Sequence, residues 1–202
     1  MLKRLSAHTQ YRLLDHQPAI RRVIHVDIQR VADLCYPQLE GCLERRSMAF
    51  AIPLAHWWHG GGGDHFVRDV ESGLVLTQTR EYRNLMAMIE AGHRPKELSS
   101  HDEVIAYLEG VLTIFERIRS RGFRTPDDTD RGIEVCIDET GRLCKVWGGG
   151  THRYGLARWL SSPATPVYVR HAHRDWLNRV IRERQSRPIA AVEAGIAALG
   201  DT

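Results

Sequence analysis

Residues 147–159 read Trp-Gly-Gly-Gly-Thr-His-Arg-Tyr-Gly-Leu-Ala-Arg-Trp, and this stretch carries most of what the sequence says about fold and site. An alternating apolar pattern precedes it and a helical apolar pattern follows it, so a strand passes into a helix here. The first N–H groups of a helix have no partner within the helix and lie at the positive end of its dipole. Thr151, His152 and Arg153 add a hydroxyl, an imidazole and a guanidinium. The stretch therefore predicts an anion site, above all for phosphate.

The composition is typical of a globular protein with one domain of ordinary size. The chain has 202 residues, of which 43% are hydrophobic and 26% are charged. No apolar run is long enough to cross a bilayer, and the first residues have no apolar core typical of a secretion signal. The four cysteines form no Cys-x-x-Cys pair and show no zinc spacing. We expect a cytoplasmic protein without a membrane partner.

The formal net charge of +3 is small, but the positive charges are unevenly distributed. Within residues 170–187 only Asp175 and Glu183 oppose a group of six arginines. Two interpretations stay open: a solvated helix face, or a surface for a phosphate-rich partner such as a nucleotide or a nucleic acid. The six are Arg170, Arg174, Arg179, Arg182, Arg184 and Arg187.

The first third of the chain gives weaker structural signals. We expect residues 1–19 to form a polar N-terminal arm. Residues 20–28 are rich in β-branched side chains and predict a strand, and residues 31–45 favour a helix interrupted by Pro37. The strand residues expected to be partly buried are Val23, Ile24, Val26 and Ile28.

Two helices have clear signals in the middle of the chain. Residues 81–91 place apolar side chains on one face, and Gly92 is a plausible stop. Residues 100–103 (Ser-His-Asp-Glu) form a capping box before a second helix, which ends at Gly122. The expected core residues of the first helix are Tyr82, Leu85, Met86 and Ile89. Those of the second are Val104, Ile105, Leu108, Val111, Leu112, Phe115 and Ile118.

The last third alternates strands and helices. A hairpin of residues 133–137 and 143–147 sets Cys136 and Cys144 opposite each other. A helix over residues 151–160 follows, then a strand at residues 167–169, a helix from His173 and a last helix after Pro188. The first of these helices is expected to bury Leu156, Trp159 and Leu160. The whole order predicts an α+β fold with a small mixed sheet and packed helices, organised as an arm (1–19), a domain (20–187) and a C-terminal helix (188–202).

The order of strand, Gly-Gly-Thr-His-Arg-Tyr, helix and Pro-flanked strand resembles the ParB/sulfiredoxin fold. Sulfiredoxins carry Gly-Gly-Cys-His-Arg-Tyr at this junction, where it holds ATP phosphates. The CTP-dependent ParB proteins have a Gly-Glu-Arg-Arg box there, and free-serine kinases of this fold have a similar turn. The matching residues are Gly149, Gly150, His152, Arg153 and Tyr154.

A group of bacterial ParB-like proteins is similar over residues 81–182. Besides the turn, the similarity includes a segment with Pro166, Val167, Val169, Arg170 and His171. The resemblance implies a ParB/sulfiredoxin-like fold that binds ATP or CTP with Mg²⁺.

Two departures limit what the resemblance implies. Thr151 stands where sulfiredoxins have the cysteine that attacks sulfur, and a threonine hydroxyl cannot form the disulfide intermediate of that reaction. The residues after Trp176 suffice for two helices, so a helix-turn-helix domain for a specific partition site is not expected. Neither departure removes the residues of the predicted phosphate site.

Roles at the junction follow from residue chemistry. The glycines let the backbone approach a phosphate, His152 and Arg153 donate to its oxygens, and the Thr151 hydroxyl touches phosphate or magnesium. The alternative is a tight turn with Thr151 as a helix N-cap and Arg153 in a surface ion pair. The predicted cofactor-binding residues are Gly148, Gly149, Gly150, Thr151, His152, Arg153, Arg170 and His171.

A second unusual segment covers residues 56–65, His-Trp-Trp-His-Gly-Gly-Gly-Gly-Asp-His. Three interpretations stay open: a transition-metal site on His56, His59, Asp64 and His65, a mobile lid, or a surface loop.

Phosphoryl transfer also needs a carboxylate to align the acceptor or to hold magnesium. The candidates are Asp64, Asp69, Glu71, Glu81 and Asp138. Our prediction for the catalytic residues is Glu81, then Asp64, together with His152.

The sequence thus predicts a protein that binds a nucleoside triphosphate, as an ATP- and magnesium-dependent phosphotransferase or NTPase acting on a small molecule. One alternative is a nucleotide- or nucleic-acid-binding regulator without turnover, working through the arginine-rich helix. Another is a nuclease, which needs a metal–carboxylate cluster that the sequence does not locate. The oligomeric state stays open.

Overall fold

The computed structural model describes residues 23–39, 51–52, 55–59, 65–126, 130, 132–146, 149–184 and 187–200. For residues 33–39, 51–52 and 55–59 the description is limited to the backbone. The predicted arm at residues 1–19 lies outside the described residues.

The described strands form one mixed sheet, in the order β1-β7-β5-β6-β2-β4, with β3 also paired to β7. Antiparallel pairs join β1 to β7, β5 to β6 and β2 to β4, and parallel pairs join β5 to β7, β2 to β6 and β3 to β7. The strands are β1 (Val23–Val26), β2 (Ala32–Leu39), β3 (Ala51–Ile52), β4 (Ala55–His59), β5 (Ile133–Ile137), β6 (Leu143–Val146) and β7 (Thr165–His173).

Helices pack on this sheet, and the architecture is α+β, as predicted. Short 3₁₀ helices lie at Ile28–Arg30, Leu76–Gln78 and Pro95–Glu97. The α-helices of the described chain are α1 (His65–Glu71), α2 (Arg80–Glu90), α3 (His101–Arg121), α4 (Thr151–Trp159), α5 (Arg174–Arg184) and α6 (Pro188–Gly200).

Two hydrophobic cores lie on either side of α4. The first joins the sheet to α5 and α6, and includes Tyr154 and Ala157 of α4. The second joins α1, α2 and α3, and includes Leu156 of α4. Because neighbouring residues of α4 enter different cores, this helix lies between the sheet and the helical layer.

The middle helices agree with the prediction. In α2, Leu85 is buried and Tyr82, Met86 and Ile89 pack beside it. The Ser100 hydroxyl accepts a hydrogen bond from the Glu103 amide at the start of α3 (3.3 Å), which confirms the N-terminal cap. The buried residues of α3 are Val104, Leu108, Val111, Phe115 and Ile118, and Gly122 ends the helix with φ +78°.

The hairpin is also confirmed. Cys136 of β5 lies opposite Cys144 of β6, and both side chains are buried.

The prediction of a helix over residues 31–45 is wrong, because β2 occupies residues 32–39. Its register with β6 ends at the pair Cys35–Val146, whereas its register with β4 continues to Leu39. Pro37 therefore lies where one side of β2 has no partner strand within the described chain, and proline is tolerated at such an edge. Pairing across the sheet outweighs local helical spacing here.

Other boundaries also differ from the prediction. Ile28 is fully buried, but it begins a 3₁₀ helix after β1 ends. The strand predicted at residues 167–169 extends over the nine residues of β7. Trp159 and Leu160 were expected to be buried, yet they are 47% and 44% exposed, because α4 buries Tyr154, Gly155, Leu156 and Ala157 instead.

Within the part of the chain that the structure describes, no helix is both long enough and apolar enough to cross a membrane.

Candidate functional site

The glycine turn before α4 is fixed against β5. Gly150 has a left-handed backbone (φ +73°, ψ +35°), and a Cβ added there would overlap the carbonyl oxygen of Gly132. The Gly149 carbonyl accepts a hydrogen bond from the Glu134 amide (3.0 Å), and a Cβ on Gly149 would lie 2.6 Å from Glu134 Cβ. Both positions require glycine. Gly148 lies outside the described residues.

Gly150 is also the N-cap of α4, and it has no side chain to cap the helix. Its carbonyl accepts from the Tyr154 amide (2.9 Å). The amides of Thr151, His152 and Arg153 donate to no other residue that the structure describes. The alternative in which Thr151 is the N-cap is therefore wrong, since Thr151 is the first helical residue and its hydroxyl does not cap the turn.

His152 lies in a cluster with Glu81 of α2 and His65 of α1. Glu81 Oε1 lies 3.5 Å from His152 Nε2, and Glu81 Oε2 lies 3.0 Å from His65 Nε2. The Glu81 side chain is only 16% exposed. Burial alone would raise the pKa of Glu81, but hydrogen bonds from His152 and His65 and their charges together lower it well below its usual range. Glu81 is thus held as a carboxylate between two imidazoles.

Aromatic residues hold the other side of the His152 ring. The Tyr107 hydroxyl of α3 lies 3.4 Å from His152 Nδ1. The Phe66 ring meets the imidazole edge-on, at 5.4 Å between centroids and 78° between planes. Burial raises the pKa of Tyr107, while the nearby charge of Lys96 acts in the opposite direction.

A pocket of about 190 Å³ opens at the start of α4. Lys96, an exposed side chain, lies above it with Nζ 5.2 Å from the centroid of the Tyr107 ring. Lys96 makes no ion pair with any carboxylate of the described chain. The pocket is lined by Lys96, Tyr107, Val111, Ile114, Gly150, Thr151, His152 and Arg153.

The predicted arginines are paired with carboxylates. Both terminal nitrogens of Arg153 donate to Asp130, each at 2.9 Å, so Arg153 forms the ion pair that was its alternative role. Arg170 Nη1 donates to Glu134 Oε2 at 2.8 Å. His171 is 4% exposed, lies opposite Cys136 in the sheet, and is not among the residues that line the pocket.

The segment at residues 56–65 is only partly described. His56 and His59 belong to β4, so this part of the segment is a strand and not a surface loop. His65 begins α1 and contacts Glu81, and Asp64 lies outside the described residues. Across the described ranges, no group of three or more His, Cys, Asp or Glu residues is arranged to hold a metal ion.

The structure places Glu81, Thr151 and His152 close together, and it adds Tyr107 and Lys96 to them, which sequence reasoning missed. Tyr107 follows Val104 by three residues and precedes Val111 by four. This spacing puts it on the apolar face of α3, so the sequence pattern does not distinguish it from the core residues. No periodic signal distinguishes Lys96.

No protein-family model matches the chain, and no curated protein or solved structure matches it significantly. The ParB/sulfiredoxin resemblance at residues 149–154 stays a prediction.

Proposed function

We propose that this pocket binds the phosphates of a nucleoside triphosphate and that the protein transfers the terminal phosphate to a small molecule or to water. The observation that carries the proposal is the start of α4. Its glycine turn leaves the amides of Thr151, His152 and Arg153 without a partner in the described chain, at the positive end of the helix, facing a pocket. Such amides bind phosphate oxygens, and the helix dipole favours their negative charge.

The charge balance of the pocket supports an anionic ligand. Lys96 is a cation at the pocket without a carboxylate partner in the described chain, whereas Arg153 and Arg170 are neutralised by Asp130 and Glu134. Lysine binds phosphate as a point charge. In this proposal Lys96 takes the neutralising role that the sequence assigned to the arginines.

The size of the pocket indicates which part of the nucleotide enters it. Pockets for whole drug-sized ligands have volumes of about 300–1,000 Å³. The pocket at α4 has about 190 Å³ and fits a phosphate group. We expect the base and the sugar to lie outside it.

Magnesium would be held mainly by the phosphates themselves. Both oxygens of Glu81 face imidazoles, so this carboxylate is not offered to a cation. The Thr151 hydroxyl is a hard oxygen ligand at the pocket, of the kind that Mg²⁺ accepts beside phosphate oxygens. When bound, Mg²⁺ would neutralise phosphate charge.

The His152–Glu81 pair supplies the proton chemistry in this proposal. A carboxylate beside an imidazole orients the ring and stabilises the imidazolium that forms when the ring accepts a proton. His152 is the imidazole at the pocket, and Glu81 is the carboxylate behind it.

Nucleotide-dependent thermal unfolding tests the proposal. A ligand at 100 times its Kd stabilises the folded protein by about 2.7 kcal/mol, so Mg-ATP or Mg-CTP should raise the Tm. Release of inorganic phosphate would then report turnover. Lys96→Ala should reduce the rise in Tm, because it removes the cation of the pocket, and the charge-matched control Arg83→Ala, on the exposed face of α2, should keep it. If no nucleotide raises the Tm of the wild-type protein, the proposed site is wrong.

A binding protein without turnover is the second candidate. Arg182, Arg184 and Arg187 are exposed near the end of α5, where they suit a phosphate backbone. Arg179 instead donates to the Thr140 carbonyl (2.9 Å) and holds the hairpin turn. Salt-dependent DNA binding that is unaffected by Lys96→Ala but lost in Arg182→Ala would favour this candidate.

A further inference from the structure

Both ring nitrogens of His152 have contacts inside the protein. Nε2 faces Glu81 Oε1 at 3.5 Å, and Nδ1 faces the Tyr107 hydroxyl at 3.4 Å. The Phe66 and Tyr107 rings meet the imidazole at steep angles, 78° and 63°, and fix its plane. The sequence analysis proposed that His152 donates a hydrogen bond to a ligand. In the structure it can do so only by breaking one of these two contacts.

Glu81 determines where the proton of a neutral His152 lies. An ionised carboxylate only accepts hydrogen bonds, so Nε2 must carry the hydrogen and Nδ1 must present a lone pair. The Tyr107 hydroxyl is the donor that faces this lone pair. His65 Nε2, 3.0 Å from the second oxygen of Glu81, keeps the carboxylate in this orientation.

The Tyr107 hydroxyl is the end of this series of contacts. It donates its hydrogen to His152, Lys96 interacts with one of its oxygen lone pairs, and a ligand in the pocket can donate to the other. Tyr107 lines the pocket beside Thr151, and its ring lies under Lys96. A hydroxyl, an imidazole and a carboxylate connected in this order allow the hydroxyl proton to move to the imidazole, and the carboxylate stabilises the imidazolium that forms.

We propose that Tyr107 is a catalytic residue that accepts the proton of an acceptor hydroxyl and passes its own proton to His152. This inference rests on the proposed function and names the acceptor class, an alcohol or water. As the acceptor oxygen bonds to the terminal phosphorus, its proton moves to Tyr107 Oη and the Tyr107 proton moves to His152 Nδ1. The bond from phosphorus to the leaving oxygen breaks, and its electron pair remains on the released diphosphate. The Glu81 carboxylate stabilises the imidazolium.

The protonation states agree with this sequence of steps. Burial raises the pKa of Tyr107 despite the opposing charge of Lys96, so its hydroxyl is protonated at neutral pH and can donate. The lowered pKa of Glu81 keeps its carboxylate ionised.

Tyr107→Phe tests the inference, because it removes the hydroxyl and keeps the ring that packs on His152. The probes are Mg-ATP and Mg-CTP with water as acceptor, followed by phosphate release, and a non-hydrolysable triphosphate for the Kd. Loss of general acid–base transfer should lower kcat by about 10²- to 10⁴-fold. The Kd should change by less than about threefold, since the hydroxyl acts only in the transition state.

Tyr82→Phe is the matched control. The Tyr82 hydroxyl contacts His101 Nδ1 at 2.7 Å, with the rings edge-on at 5.7 Å, and neither residue lines the pocket. The control removes the same kind of tyrosine–histidine contact and should leave kcat unchanged.

The possible outcomes separate this inference from the proposed function. Wild-type kcat in Tyr107→Phe overturns the role of Tyr107 and leaves the phosphate site standing. Equal losses of binding and turnover assign Tyr107 to binding or packing and also overturn the inference. Binding without phosphate release by the wild-type protein overturns it while keeping the site, and failure to bind either nucleotide overturns both.

Discussion

Gly150 is the residue on which the geometry of the site depends most. Its left-handed backbone costs a residue with a Cβ about 1–2 kcal/mol, and the added atom would also overlap the Gly132 carbonyl. We expect Gly150→Ala to lower the free energy of unfolding by at least about 2 kcal/mol, because β5 or α4 must shift. Urea denaturation measures this loss.

Gly110 provides the matched substitution. It lies exposed within α3, and a Cβ there would meet nothing within 4 Å. Gly110→Ala should raise the free energy of unfolding by about 0.5–1 kcal/mol, because alanine favours the helix. Equal effects of the two substitutions would show that the turn does not need glycine.

Glu81 gives the protein a defined pH dependence. Its pKa is 4.5 in an unperturbed chain and lower in the folded protein. A lowered pKa contributes stability that is complete above about pH 4.5 and is lost as the pH falls toward the folded value. Glu81→Gln should therefore cost about 1.5–3 kcal/mol at neutral pH, the usual value of hydrogen bonds to a charged group.

The difference between the wild type and Glu81→Gln should shrink as the pH falls below 4.5, measured by denaturation at a series of pH values. Glu90→Gln, at the exposed end of α2, is the control and should change stability by less than about 0.5 kcal/mol at each pH. If the difference in the free energy of unfolding between wild type and Glu81→Gln grew as the pH fell, the lowered pKa of Glu81 would be contradicted.

At the scale of single residues, the sequence identified the groups that share one short segment better than those that meet across the fold. Gly150, Thr151 and His152 are consecutive at a strand-to-helix junction, so one short segment is enough to predict that they lie together. The partner of Arg153 is Asp130, a residue of the preceding loop, and no pattern in that loop indicates the pair. Long-range pairing of charges depends on where loops pass, which local spacing does not encode.

At the scale of elements, α4 shows where periodicity misleads. Leu156 is fully buried, whereas Trp159 is 47% exposed although it is the larger apolar residue. Leu156→Ala should cost about 2–5 kcal/mol, the usual range for a buried leucine. Trp159→Ala should cost less than about 1 kcal/mol, since most substitutions at exposed positions have small effects.

Chemical denaturation of the two variants checks this order, and circular dichroism should show that both remain folded. A larger loss in Trp159→Ala would restore the sequence-based assignment of the buried face of α4.

The elements that the sequence predicted correctly have signals inside their own segments. The start of α3 has its Ser100 cap and the turn after α2 has Gly92, and both act locally. The signal for β2 is instead its pairing with β4 and β6, which follow β2 in the chain, β4 after a short interval and β6 after a long one. Whether a segment forms a strand in a mixed sheet depends on its partner strands, so its own short sequence is not enough to predict it.

At the scale of the whole molecule, α4 connects the two hydrophobic cores and carries the site at its first turn. Glu81 and Tyr107 reach the site from the helical core, and Gly149 and Gly150 reach it from the sheet. The site is thus complete only when both cores are formed. Ligand binding at this turn would stabilise the packing of the sheet against the helices.

The position of β7 has a consequence for how the chain folds during synthesis. Val23 of β1 pairs with Tyr168, and Ala51 of β3 pairs with Ala172. Both early strands therefore pair with β7, which is synthesised much later. Non-local pairing of this kind slows folding, because a long loop must close before any contact compensates for the lost entropy. The helices α1 to α3 can associate earlier on the ribosome. The strand β1 meets β7 only after residues 165–168 have been made, and α6, which packs on it, comes later still. Newly made chains therefore pass through a stage with an exposed strand, and that stage is the one at which aggregation competes with folding.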